Sequence, residues 1–218
     1  MSAGVLIMAK APRPGAVKTR LEPLLGAAGC ARLQTELIRH TAGWVTRAVD
    51  RTWLAFTPAD AQTELAGLVP RRVRLFPQRG DDLGDRMRAA SEFVWRRHAG
   101  PLFVVGTDAP EVGPVHLGFA ERALANGAEA CVIPAIDGGY ALIALARPTP
   151  AAFELPPDVW GGPDVLALTL AALDAAGRAT ALLEFVRDLD TPDDARHVAA
   201  DPRCPPAIRQ ALRDRSLA

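Results

Sequence analysis

The sequence predicts an α/β domain built on a mostly parallel sheet, and two patterns carry that expectation. Short apolar runs alternate with longer amphipathic stretches along the chain. Several of the runs also end in turn-forming residues, as in VVGTDAP and VIPAIDGGY. Candidate strands are 4–9, 52–57, 72–76, 102–106, 129–134 and 140–146. Helical stretches fall between them, at roughly 28–49, 60–68, 82–98 and 114–126, and the Ala- and Leu-rich ALTLAALDAA predicts another within 163–176. The segment from Pro205 to Ala218 has the pattern of a terminal amphipathic helix. With no internal repeat or low-complexity linker, the 218 residues are expected to form one domain over 1–218, with a helical tail from about residue 200.

Composition narrows the function classes. Equal numbers of acidic and basic residues leave a net charge of zero, so no general nucleic-acid or membrane surface is expected and any anion site must be local. The apolar runs are too short to span a bilayer. The N-terminal MSAGVLIMAK lacks a basic leader and a long apolar stretch, which predicts no signal peptide. Cys30, Cys131 and Cys204 are scattered without CxxC spacing, which fits a reducing cytoplasm better than a disulfide framework.

In an open α/β sheet, ligands sit outside the carboxyl ends of the strands. Loops 10–20, 106–111 and 135–139 occupy that position and locate a site. The first, KAPRPGAVKTRL, follows the apolar run GVLIMA. Pro12 and Pro14 bar a continuing helix, and Gly15 permits a turn. Lys18-Thr19 matches the end of a GxxxxGK[ST] phosphate loop, but Val17 stands where that motif needs glycine, so the P-loop reading fails. The distribution of cations still marks this loop. Of 25 Lys plus Arg only Lys10 and Lys18 are lysine, and random placement would put both among its four basic positions about once in fifty times. A cationic loop after the first strand can hold phosphates by charge and N–H donors.

Carboxylates gather in the other loops. Asp108 in GTDAP can cap a turn or face a Mg²⁺ beside a nucleotide phosphate. Asp137 precedes two glycines in AIDGGY, and Asp188 and Asp190 lie in RDLDTPDD. The last segment also begins a helix, with Asp190 or Thr191 at the cap and Pro192 in the first turn. Capping does not explain why Asp188 and Asp190 both precede it. The four histidines show no metal or triad spacing, and no GxSxG elbow is present.

KAPRPGAVKTRL at 10–21, QRGDDLGDRM at 78–87, GTDAPEV at 106–112, PAIDGGYALIAL at 134–145 and RDLDTPDDARHV at 187–198 together resemble the GT-A-like nucleotide-diphospho-sugar transferase superfamily. Within it, the chain is similar to the small bacterial glycosyltransferase-like family found near radical-SAM and arsenosugar genes. That family is related to 2-phospho-lactate and molybdenum-cofactor guanylyltransferases. The resemblance implies a three-layer α/β/α sandwich around a central, mostly parallel mixed sheet. It implies that Lys18 and Arg20 contact nucleotide phosphates and act with Asp108 in catalysis, and that Asp108 and Asp190 hold Mg²⁺ or Mn²⁺. Lys10, Arg13, Gly15, Leu83, Gly84, Arg86 and Thr107 would complete the nucleotide site, and Asp137, Gly138, Gly139 and Tyr140 the acceptor side. After Trp160 the chain reads GGPDVL, where the family has Thr or Ser.

The expected function is metal-dependent transfer from a nucleotide. In one form a nucleoside diphosphate sugar gives its sugar to a small-molecule acceptor. In another an NTP gives its nucleotidyl group to a phosphorylated small molecule, releasing pyrophosphate. The cationic loop suits a triphosphate, whereas the resemblance leans to glycosyl transfer. A non-catalytic nucleotide-binding module is the third reading. The expected partners are a nucleotide or nucleotide sugar and a small-molecule acceptor, with neither nucleic acid nor membrane.

Overall fold

The computed structural model describes residues 3–214. Its strands are β1 (Gly4–Lys10), β2 (Arg51–Thr57), β3 (Arg74–Pro77), β4 (Leu102–Val105), β5 (Ala130–Pro134), β6 (Tyr140–Leu145) and β7 (Thr180–Leu182). They form one seven-stranded sheet in the order β3-β2-β1-β4-β6-β5-β7. The helices are α1 (Glu22–Ala48), α2 (Gln62–Ala66), α3 (Leu83–Trp95), α4 (Pro114–Ala125), α5 (Val165–Ala175), α6 (Pro192–Ala200) and α7 (Pro206–Arg213).

The central strands read as unbroken apolar runs because both sheet faces are covered. Along β1, Val5 and Ile7 join a core with Ile38 and Val45 of α1, Leu65 of α2 and Leu117 of α4. Leu6 points the other way, into a core with Met87 and Val94 of α3 and Leu173 of α5. This is the three-layer arrangement that the resemblance implied.

Topology then sets where the loops go. β6 is antiparallel to β4 and β5, while the remaining pairs are parallel. Strands β1, β4, β5 and β7 therefore all end at one edge of the sheet. The β5–β6 turn must lie at that edge too. The chain runs outward from β1 to β3 and returns to β4 on the other side of β1, leaving a crevice between their carboxyl ends.

The expected strands lie within about two residues of the observed ones. The three-residue β7, paired only with β5, was not foreseen. Helix α1 begins earlier than periodicity suggests, because Gly26 (φ 67°, ψ 164°) kinks it and breaks the apolar pattern. The C-terminal segment packs onto α1: Leu189, Ala195, Ile208 and Leu212 bury against Leu25, Leu33 and Leu37. Residues 215–218 of the expected terminal helix lie outside the described residues. Among the described residues no helix is long and apolar enough to cross a membrane.

Gly84, in the first turn of α3, sits against the Phe153–Trp160 segment with no room for a side chain. A Cβ there would stand 2.4 Å from the Phe153 carbonyl oxygen and 2.5 Å from the Trp160 indole nitrogen. Gly84→Ala should destabilise by about 2 kcal/mol, which calorimetry would read as a Tm lowered by roughly 4–8 °C.

Candidate functional site

The loop after β1 is shaped by its backbone. Arg13 N–H donates to the Ala11 carbonyl and Ala16 N–H to that of Arg13, folding the prolines into a compact turn. Gly15 takes φ 74° there with open space around it. Lys18 is left-handed as well (φ 50°, ψ 37°), alone among the described non-glycine residues, at a cost of about 1 kcal/mol. The Cys30 thiol and the Leu21 N–H both donate to its carbonyl, at 3.2 and 2.8 Å.

That conformation sends the Lys18 side chain into the crevice, where it is 4% exposed. Its Nζ lies 2.5 Å from Asp108 Oδ1 and 2.7 Å from Asp190 Oδ1. Burial would lower the ammonium pKa, but the two carboxylates outweigh it and hold the pKa above the usual lysine value. The carboxylates keep 49% and 40% of their side-chain surface and face the cleft.

The placement of Asp190 follows from an extended segment with period two. Leu189 is fully buried under α1 and α7, which leaves its neighbours Asp188 and Asp190 on the cleft side. This answers why two aspartates precede the helix cap. Leu189 N–H donates to the Asp108 carbonyl at 2.8 Å, and Arg187 N–H donates to Glu111 Oε1, so the two acidic loops are laced together. Thr191 caps α6: its hydroxyl accepts from Asp194 N–H at 3.3 Å, and Asp194 Oδ2 accepts from Thr191 N–H at 2.9 Å. Burial, then the carboxylates of Asp108, Asp137 and Asp190, push the Asp188 carboxyl up to about 7, with Lys18 opposing.

Two clefts share this centre. The first, about 300 Å³, is lined by Lys10, Lys18, Thr19, Arg20, Thr107, Asp108 and Asp190 among others. The second, about 360 Å³, continues from Met8, Lys10, Asp108 and Asp190 past Leu83 and Arg86 to Asp137, Tyr140, Trp160 and Asp188. The structure thus brings most of the expected residues together. Arg13 is an exception: it is turned onto Asp60 and Glu64, at 3.1 and 3.2 Å, and lines neither cleft. Gly15 and Gly84 serve through backbone and packing. Gly138 (φ 95°) lets the 135–139 turn sit against Pro163, whose carbonyl oxygen would be 2.1 Å from a Cβ. Gly139 N–H donates to Asp137 Oδ1 at 3.0 Å. Tyr140 backs the wall with its phenol pushed up by burial.

Sequence reasoning missed two glutamines. Gln34, buried in α1, donates through Nε2 to the Lys10 carbonyl (3.3 Å) and to Thr107 Oγ1 (3.2 Å), tying the first two loops together. Gln78 Nε2 does the same for the ends of β1 and β2, at the Ala9 and Ala55 carbonyls. An amide on the apolar face of α1 was the available signal for Gln34.

A family profile described as "Uncharacterized protein conserved in bacteria (DUF2064)" matches residues 41–157, more than half of the chain. The chain belongs to the DUF2064 family. Among solved structures, this DUF2064 chain is similar to a Desulfovibrio desulfuricans G20 protein assigned to the nucleotide-diphospho-sugar transferases. The two are 25% identical with a TM-score of 0.87, over 98% of this chain and 95% of that one. It is also similar to a Mycobacterium tuberculosis H37Rv protein solved with manganese, at 18% identity and TM-score 0.57, over 90% and 97% of the two chains. A third is CMP:2-keto-3-deoxy-manno-octonic acid synthetase complexed with CTP, at 15% identity and TM-score 0.54, over 91% and 97%. No curated protein sequence matches significantly. The fold is therefore the GT-A-like one that the motifs resembled.

Asp194 holds the α6 cap and also pairs with Arg187 at 2.9 Å. Asp194→Ala should lower stability by about 1–2 kcal/mol in urea denaturation. Exposed Asp193, paired with Arg196 on the same helix, should change it by less than about 0.5 kcal/mol when replaced by Ala.

Proposed function

We propose that this protein is a metal-dependent, nucleotide-using glycosyltransferase, moving a sugar from a nucleoside diphosphate sugar to a small-molecule acceptor. One observation carries the reading. Two carboxylates from separate loops, Asp108 and Asp190, aim at a single point beside the cation-bearing loop, at the switch point of the sheet.

The donor set fits Mg²⁺ or Mn²⁺. Both contacts are carboxylate oxygens, the ligands that such cations take. Among the described residues no group of three His, Cys, Asp or Glu is disposed to hold a metal by itself. Two protein ligands would leave positions for phosphate oxygens and water, as expected of an ion that arrives with a nucleotide. The manganese and CTP bound by relatives of the same fold are consistent with this. When bound, the metal would neutralise phosphate charge.

The chain's own residues supply the rest. Lys18 carries its ammonium on a flexible stem, so it can release a carboxylate and turn to a phosphate oxygen in the adjoining cleft. Arg20 and Lys10 line that cleft and balance charge on the leaving phosphates. Thr107, fixed by Gln34, keeps Asp108 in place. No protein nucleophile is required, because positioning and electrostatics suffice for a displacement at the sugar.

Arg13 bears on the choice between reactions. Its engagement with Asp60 and Glu64 removes one of four cations from the phosphate loop, which weakens the case for a triphosphate and favours the glycosyl form over nucleotidyl transfer. The paired Asp108 and Asp190 with Lys18 speak against a non-catalytic binding module.

A thermal-shift panel of four NTPs and several UDP- and GDP-sugars, with and without Mn²⁺, tests the reading. A ligand at a hundred times its Kd should add about 2.7 kcal/mol, or roughly 5–10 °C, and only with metal. The largest shift should come from a sugar nucleotide; one from an NTP instead would support nucleotidyl transfer. Asp108→Ala should abolish the metal dependence.

Lys18 makes a second, sharper test. Because it competes with metal for the carboxylates and can turn to the nucleotide, the two ligands should reinforce each other. Lys18→Met should bind Mn²⁺ alone more tightly and nucleotide about 10–100-fold more weakly by calorimetry. Arg20→Gln should weaken nucleotide without the gain in Mn²⁺ affinity.

A further inference from the structure

We infer that the acceptor end of the second cleft, formed by Asp137, Tyr140, Trp160 and Asp188, takes an uncharged, hydroxyl-rich molecule and excludes a phosphorylated one. This rests on the transferase reading above and names the substrate class of the same site.

The wall of that cleft is short of cations. Of the residues between Arg122 and Arg178 that line it, Asp137 is the one charged group, and the stretch holds a single cation, Arg147. Arg147 follows β6 at the opposite edge of the sheet and is paired with Glu129. The cations that reach the second cleft come from elsewhere. Arg86 donates through Nε and Nη2 to the Gly80 and Asp81 carbonyls, at 3.0 and 3.2 Å. Lys10 stands where the two clefts meet, on the nucleotide side. Lys18 lines only the first cleft.

Backbone donors do not make up the deficit. A phosphate can be held by successive free N–H groups in a glycine-rich turn, and this wall has two such turns. Three of their donors are already used: Gly138 N–H on the Ala135 carbonyl at 3.2 Å, Gly139 N–H on Asp137 Oδ1 at 3.0 Å, and Gly162 N–H on the Val159 carbonyl at 2.9 Å. At the start of α5, Leu166 N–H donates to the Gly138 carbonyl at 2.8 Å.

What the wall offers suits a polyol. Carboxyl oxygens accept hydrogen bonds from hydroxyl donors, so Asp137 and Asp188 suit a polyol, and neither supplies the positive charge that a phosphate needs. Tyr140, Trp160 and Met87 give an apolar surface for the C–H face of a ring. Gly138 locks the 135–139 turn against Pro163, so Asp137 is held in place.

The test uses the full chain saturated with Mn²⁺ and UDP or GDP, whichever the thermal panel selects. D-glucose and myo-inositol are titrated against glucose 6-phosphate and inositol 1-phosphate by ligand-observed NMR. The neutral probes should bind at least about tenfold tighter than their esters. Asp137→Asn together with Asp188→Asn, which preserves shape, should weaken the neutral probes and narrow the gap. Esters that bind as well as the neutral probes, or neutral probes that fail to bind, overturn the inference. The metal-dependent nucleotide shift measured on the same samples separates the two levels. If it persists while esters win, only the acceptor class is wrong; if it is absent in the wild type, the transferase reading falls and this inference with it.

Discussion

The site depends on one buried ammonium. Lys18 joins loops that are 172 residues apart in sequence through Asp190, and reaches Asp108 in the same contact. Removing a lysine from water is expensive, and the cost is met only because two carboxylates receive it. The carboxylates in turn could not stand so near each other without a cation between them. A strained backbone at Lys18 is tolerated because Cys30 and Leu21 hold its carbonyl from below.

The sheet makes that meeting possible. A single antiparallel strand, β6, lies between β4 and β5, so the β5–β6 turn reaches the same edge as the loops after β1, β4 and β7. Polar side chains then fix the distances between loops: Gln34 joins the first to the second, and Glu111 and the Asp108 carbonyl join the second to the last. The buried Leu189 sets the direction of the aspartates on either side of it.

Much of this was legible in the residues. The apolar runs marked six of the seven strands because burial on both faces leaves an unbroken pattern. β7 escaped because three residues at a half-exposed edge, TAL, carry too little pattern to read. The lysine distribution pointed to the loop whose Lys18 lies buried between Asp108 and Asp190, and RDLD raised the question of two aspartates ahead of a cap, both of which line the second cleft. Arg13 was assigned by its place in a basic loop. Its partners Asp60 and Glu64 are set by tertiary packing, some fifty residues away, which no local signal reveals. Gln34 was hidden for the opposite reason, since a lone polar residue in an apolar helix face looks like noise until the loops it ties are seen.

The uneven placement of charge has a consequence beyond the contacts in the cleft. In a chain that is neutral in total, the crevice carries Lys10, Lys18 and Arg20 on the β1 side and Asp137 and Asp188 toward the β5–β6 turn. A molecule with an anionic and a neutral end would feel a torque in that field before it touched the surface. It would arrive with its phosphates already turned toward the β1 loop. The molecule's electrostatic asymmetry thus acts on the orientation of encounter, ahead of any recognition by shape.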